Sequence, residues 1–148
     1  MADTIDSATM PASGLERLRA GIGRPPSGMA ATLGFRVTEA EPGRVTLLAE
    51  PSPAFRNVSG NVHGGWAATL LDSAMGCAAL STLGPGQGCV TIELKASYHR
   101  PITPHGGPVT VTGVVLSAGR RAVFAEARVT DAGGRLLASG TSTLMVQP

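Results

Sequence analysis

Apolar and polar positions change their spacing along this chain, and the changes mark out its elements. Leu33-Gly-Phe-Arg-Val-Thr-Glu39 and Arg44-Val-Thr-Leu-Leu-Ala-Glu50 flank Glu41-Pro42-Gly43. Two short strand-like runs around a Pro-Gly turn predict a β-hairpin. From Trp66 to Leu80 the pattern is different: apart from the indole and thiol groups, only Thr69, Asp72 and Ser73 carry polar side chains. A run of that length without Pro predicts one long helix, apolar on nearly every side. Beyond the loop at Leu83-Gly-Pro-Gly-Gln-Gly88, strands are expected over Cys89 to Tyr98, Pro108 to Leu116, Arg121 to Thr130 and Leu136 to Val146. Ser117-Ala-Gly119 and Asp131-Ala-Gly-Gly134 serve as turns.

The N-terminal part reads differently. Residues 1–13 show no period and are expected to form a mobile tail, and a short helix is expected from about Leu15 to Ala20, ended by Gly21 and Gly23-Arg24-Pro25-Pro26. The expected organisation is therefore a tail over 1–29, with its short helix, and a folded domain over 30–148. The order of elements in that domain is β-β-α-β-β-β-β. A lone helix that is apolar all round requires a sheet around it, because a flat sheet leaves one face wet. The fold class that follows is α+β, an antiparallel sheet of five to six strands around one long central helix.

Composition narrows the function. The 148 residues suffice for one domain with a real core. A formal charge of +2 and an aromatic content of 3% argue against a nucleic-acid partner. Residues 1–29 are too short and too weakly basic for a DNA-binding segment. The apolar helix is short for a membrane span, carries an acid at its middle, contains Gly76 and lacks basic flanks. No secretory leader is visible, so a cytoplasmic protein is expected. Cys77 and Cys89 lack metal-ligand spacing and one pair makes no disulfide framework; Cys77 reads as a small apolar residue within the helix. His99 and His105 have no metal-binding partners in sequence, so no metal or cofactor is expected.

Asp72 is the chemical anomaly. A carboxylate in an apolar helix costs several kcal/mol unless it is paired, hydrogen-bonded or near water. It could cap a neighbouring strand or pair with one of the eleven arginines, or it could be reactive. At the head of the same helix stand His63, Gly64 and Gly65. Backbone N–H groups in a first helical turn lack intrahelical partners and carry the positive end of the helix dipole, and a glycine admits a ligand to them. Close helix–sheet packing would equally call for glycines there.

The set Asn57…Val62-His63-Gly64-Gly65…Leu71-Asp72, followed by Tyr98-His99-Arg100-Pro101, resembles the hotdog-fold acyl-CoA thioesterases, and in particular the phenylacetate-pathway (PaaI-like) and 4-hydroxybenzoyl-CoA thioesterase branch. The resemblance covers roughly residues 30–146. It implies a hotdog fold, a curved sheet wrapped around the central helix, with chains paired edge to edge into homodimers and often homotetramers. It also implies hydrolysis of an acyl-CoA, with coenzyme A entering as part of the substrate. In such a site Gly64 is the expected oxyanion donor and Asp72 the base or nucleophile. His63 would position the loop or touch the thioester, and Asn57 would lie near the thioester or the attacking water. Thr91, on the next strand, matches a water-orienting hydroxyl. The Thr that Glu-bearing relatives carry one turn further along the helix is replaced here by Gly76.

Eight helical steps from Gly64 to Asp72 span roughly 12 Å. Both groups can act on one thioester only if they come from different chains, as at a two-fold interface. For the acyl pocket, small residues such as Gly65, Ala68 and Met75 are expected to give an aryl or medium-chain preference. Arg100, Arg120 and Arg121 match positions that contact the nucleotide phosphates, a task suited to guanidinium groups. An enoyl-CoA hydratase on the same fold would place a His five residues after the Asp, where this chain has Cys77. A non-catalytic acyl-CoA-binding sensor is the remaining alternative; it offers no reason to place Asp72 opposite an oxyanion donor.

Overall fold

The computed structural model describes residues 12–148. The expected mobile stretch over 1–13 lies almost wholly outside the described residues. Three α-helices, a 3-10 turn (Pro53–Phe55) between β2 and α3, and six strands follow: α1 (Gly14–Gly21), α2 (Gly28–Leu33), β1 (Phe35–Glu41), β2 (Arg44–Ala49), α3 (Gly64–Leu80), β3 (Gly88–Tyr98), β4 (Val109–Ala118), β5 (Ala122–Thr130) and β6 (Leu136–Gln147). All six strands form one sheet in the order β1-β2-β4-β5-β6-β3, antiparallel at every pairing. The chain leaves β2, runs through α3 and returns as β3 at the far edge, so the helix lies across the middle strands.

Packing explains this arrangement. Trp66, Ala67, Leu70, Leu71, Ala74, Met75, Ala78 and Ala79 are all buried and recur at helical spacing along one side of α3. They meet Val45, Leu47, Val111, Val123, Val129 and Leu144, the alternate residues on one face of the sheet. Gly113 on β4 allows the closest approach: a Cβ there would overlap the main chain of α3 at Ala74. The Trp66 indole donates to the Leu33 carbonyl at 2.9 Å and ties the helix to the end of α2.

Two expectations are corrected. Leu33 ends a helix instead of opening a strand, and α2 itself was not foreseen in its six residues. The helix α3 is also not enclosed on every side. Gly65, Ala68, Thr69, Asp72, Ser73, Gly76, Cys77 and Leu80 form a continuous stripe that the sheet does not bury. Cys77 lies half-buried on this stripe, packed against the edge of the core.

The first helix is part of the folded body. Ser13 and Glu16 close a capping box, with the Ser13 N–H donating to Glu16 Oε2 at 2.7 Å. Arg19 donates to the Ala40 carbonyl at 3.0 Å and pairs with Glu41 at 2.9 Å, which fixes α1 to β1. No helix of the described residues is long and apolar enough to cross a membrane.

Candidate active site

The head of α3 is built by a loop held at several points. The His63 N–H donates to the Phe55 carbonyl at 2.7 Å and the Val62 N–H to the Ile102 carbonyl at 2.8 Å. His63 is the N-cap, and its Nδ1 accepts the Gly65 N–H at 3.0 Å. An Nδ1 that accepts leaves the ring proton on Nε2. The Trp66 N–H is taken by the His63 carbonyl. Among the described residues the Gly64 N–H has no acceptor, so the first helical turn presents one free donor at its positive end.

Tyr98, to which sequence reasoning gave no role of its own, lies directly over this turn. Its hydroxyl donates to the Gly64 carbonyl at 2.9 Å, and a Cβ on Gly64 would come within 3.2 Å of its ring. The Gly64–Gly65 peptide is thus held from both ends, by Tyr98 on its carbonyl and by His63 on its N–H. The signal was present in the Tyr98-His99-Arg100-Pro101 run, but only the fold shows what the phenol touches.

A cavity of about 410 Å³ opens beside the turn and is lined by Asn57, His63, Gly64, Tyr98 and Arg100, among others. Asn57 uses its Oδ1 to accept the Ser59 N–H at 2.9 Å, which leaves its amide protons as donors. Arg100 donates to the Leu136 carbonyl at 2.7 Å.

The second centre lies two turns along α3. The Thr91 hydroxyl donates to Asp72 Oδ1 at 2.7 Å. Thr91 reaches Asp72 because it stands opposite Leu144, a residue buried beneath α3. A bulge between Thr91 and Glu93 resets the alternation, so Glu93 pairs with Thr143 on the outer face. A larger cavity of about 800 Å³ opens at Asp72 and Thr91. It runs along Gly76 and Cys77 to walls formed by α1, the α1–α2 loop and β1. Burial pushes the Cys77 thiol up to about 11, helped by Cys89 and Asp72 nearby. Burial raises the Cys89 thiol as well, with Arg17 opposing and Asp72 adding to the shift.

The sequence-derived set is therefore divided between two places. Asn57, His63, Gly64 and Arg100 share the smaller cavity, and Asp72 and Thr91 share the larger. Arg120 and Arg121 line neither; they sit in the β4–β5 turn, where the Arg121 carbonyl accepts the Val146 N–H. Met75 is fully buried against the sheet and lines neither cavity. Gly65 lines a separate recess with Trp66 and Thr69, and Ala68 lies on the half-buried stripe outside both cavities. What sequence reasoning missed is the contribution of α1, the α1–α2 loop and β1 to the larger cavity.

The model of the thioesterase superfamily matches residues 59–138, a span that holds the head of α3, Asp72 and Thr91. The chain belongs to the thioesterase superfamily. It is 31% identical to human acyl-coenzyme A thioesterase 13 over 108 residues, 72% of this chain and 76% of that one. A thioesterase family protein of Silicibacter pomeroyi superposes with a TM-score of 0.79 at 31% identity, covering 90% of this chain and 98% of its own. A phenylacetic acid degradation-related protein of Ralstonia eutropha gives 0.78 at 26% identity, covering 90% and 99%. The fold is the hotdog fold and the chain is a thioester hydrolase.

Proposed function

We propose that the protein hydrolyses an aryl- or medium-chain acyl-CoA to the free acid and coenzyme A at a site shared by two copies of the chain. Gly64 and Asp72 stand eight residues apart on one straight helix, roughly 12 Å, and open into different cavities. That separation is the observation that carries the reading. In a two-fold pair of antiparallel helices the Gly64 N–H of one copy meets the Asp72 of the other, and two equal sites result. The half-buried stripe on α3 supports such a pairing, as does β3, an edge strand with Val90 and Ile92 exposed.

In this reading the thioester carbonyl accepts the Gly64 N–H, whose position Tyr98 and His63 fix. The negative charge that develops on the carbonyl oxygen is stabilised by this donor and by the helix dipole, an effect typically worth about 10²–10³ in rate. Thr91 gives its proton to Asp72 Oδ1, so its own lone pairs are free to hold a water beside Oδ2. Asp72 takes a proton from that water, the hydroxide adds to the carbonyl carbon, and collapse expels the coenzyme A thiolate, which is then protonated. Asn57 donates its amide protons to the thioester or the water, and Arg100 meets coenzyme A on the Gly64 side.

The test is thiol release from phenylacetyl-, hydroxybenzoyl-, hexanoyl- and palmitoyl-CoA, followed by mixing two inactive variants. Asp72→Asn removes the base. Gly64→Pro removes the N–H at a first helical position, after a His63 already extended at ψ 136°, and its Cβ displaces the Tyr98 ring by a few tenths of an ångström, so folding of the variant is checked first. Each alone is expected to be nearly inactive. Co-refolded at equal amounts, they should regain about a quarter of wild-type turnover, because half the dimers are mixed and each carries one intact site. No recovery in properly folded mixed dimers would exclude a shared site. Oxygen-18 from water found in the released acid during a single turnover, and not in Asp72, would support the general-base role over the nucleophilic one.

A further inference from the structure

The larger cavity carries more charge than the hydrolysis of a simple acyl chain requires. Its apolar walls come from Leu18, Pro25, Phe35, Val37, Leu80 and Leu144. Around them stand Arg17 from α1, Arg24 from the α1–α2 loop and Arg36 from β1, and the only carboxylate in the lining is Asp72. The two ion pairs among the described residues are Arg19–Glu41 and Arg135–Asp131, and neither involves these three. Arg17 donates to the Gln87 carbonyl at 2.9 Å; among the described residues the side chains of Arg24 and Arg36 donate to nothing.

Three exposed guanidinium groups from separate elements share the rim of this one cavity, a positive edge that favours an anionic group over a neutral one. Their supporting walls are fixed. A Cβ on Gly14 would overlap the Leu80 carbonyl, the Gly14 N–H donates to the Leu83 carbonyl at 3.2 Å, and Arg19 locks α1 to β1. Cys89 lines the same cavity as Asp72 and Arg17. At about 800 Å³ the cavity is within the range that encloses a whole small ligand.

We propose that Arg17, Arg24 and Arg36 bind a carboxylate at the far end of the acyl group, so that the preferred substrates are acyl-CoAs with an apolar body and a terminal acid. The inference rests on the thioesterase reading above, in which the acyl group extends from Asp72 into this cavity. Phosphates of coenzyme A share the chemistry of a carboxylate toward guanidinium groups, but in that reading they lie on the Gly64 side, with Arg100.

The experiment compares adipyl-CoA with hexanoyl-CoA, which match in chain length and differ in the terminal charge. The wild type is set beside Arg24→Gln/Arg36→Gln. The ratio of kcat/KM for adipyl-CoA over hexanoyl-CoA is expected to exceed one in the wild type and to fall roughly tenfold or more in the variant, since a hydrogen bond between charged groups is lost. A wild-type ratio at or below one, or a ratio unchanged in the variant, overturns the proposal. The same acyl groups on pantetheine, which lacks the nucleotide phosphates, separate the two anion sources. If the variant loses only its preference for coenzyme A over pantetheine thioesters, the arginines bind phosphate and the proposal fails. Calorimetric binding of both acyl-CoAs to Asp72→Asn reads the arginines without turnover. Thiol release from neither substrate, with tighter binding of adipyl-CoA, would defeat the hydrolytic reading and leave the carboxylate site standing.

Discussion

The two sides of α3 do different work with similar residues. On the buried side, Leu70, Leu71, Ala74 and Met75 are wholly removed from solvent and hold the sheet. On the other side, Ala68, Gly76 and Cys77 are also small and uncharged, yet the sheet leaves them only half-buried around Asp72. The difference is one of partner. The sheet satisfies the first side within the chain. The second keeps its carboxylate bonded to Thr91 and lines the larger cavity with small, half-buried residues that the sheet does not cover. Stability and chemistry are thereby separated on one helix.

This separation can be broken from either side, beginning with the largest effect. Asp72→Asn should lower kcat by about 10³ or more while changing the unfolding free energy by less than about 1 kcal/mol. Denaturant melts beside the thiol-release assay would check it, and a variant that unfolds would show Asp72 to be structural after all. Leu70→Ala on the other side should cost about 2–5 kcal/mol of stability and leave kcat per folded molecule within about twofold. A large loss of kcat in folded protein would mean that the two sides are coupled.

Thr91→Val keeps the shape of the side chain and removes the donor to Asp72. The loss of a hydrogen bond to a carboxylate should reduce kcat by roughly tenfold to a hundredfold, read in steady-state kinetics with KM little changed. At the head of the helix, Tyr98→Phe keeps the ring over Gly64 and deletes only the hydroxyl that holds the Gly64 carbonyl. A neutral hydrogen bond of about 0.5–1.5 kcal/mol predicts a loss of roughly twofold to tenfold in kcat. An unchanged kcat would show that His63 and the helix hold the turn without it.

The mildest test concerns the half-buried stripe itself. With its thiol pushed up to about 11, Cys77 is neutral at pH 8, and its alkylation rate should climb about tenfold per pH unit until that value is reached. The sign also applies to stability. Because the folded thiol holds its proton above the ordinary value of 9.0, this group contributes fully below pH 9, and its contribution falls as pH rises from there towards about 11. Fast alkylation of Cys77 near neutrality, followed by mass mapping, would contradict a desolvated site.

Much of the fold was legible in residues that make local choices. The hairpin around Pro42-Gly43, the long helix, and the later strands follow from period, β-branching and turn residues, and each forms within a few positions of its expected range. The Ser13-x-x-Glu16 capping box was there to be read as well. The helix α2 was not legible, because Gly28-Met-Ala-Ala-Thr-Leu33 is six residues without apolar periodicity, and the indole of Trp66 helps to hold its end. The split of α3 into a buried and a half-buried side was equally hidden. Hydrophobic periodicity reads polarity, and Gly76, Cys77 and Ala68 differ little in polarity from Ala74 and Ala78.

For the site, the sequence by itself set out the candidate groups. A free N–H at a Gly-bearing helix start and an acid eight residues beyond it follow from helix geometry, and their separation on the same helix is set by the rise per residue. Tertiary structure alone decided the company they keep. Thr91 faces Asp72 because a bulge resets the alternation of β3, and Tyr98 covers Gly64 because β3 ends beside the head of α3. Arg17, Arg24 and Arg36 meet around one cavity because α1 docks on β1. Local pattern fixes what a segment is; contacts between residues distant in the chain depend on register and packing, which no local pattern encodes.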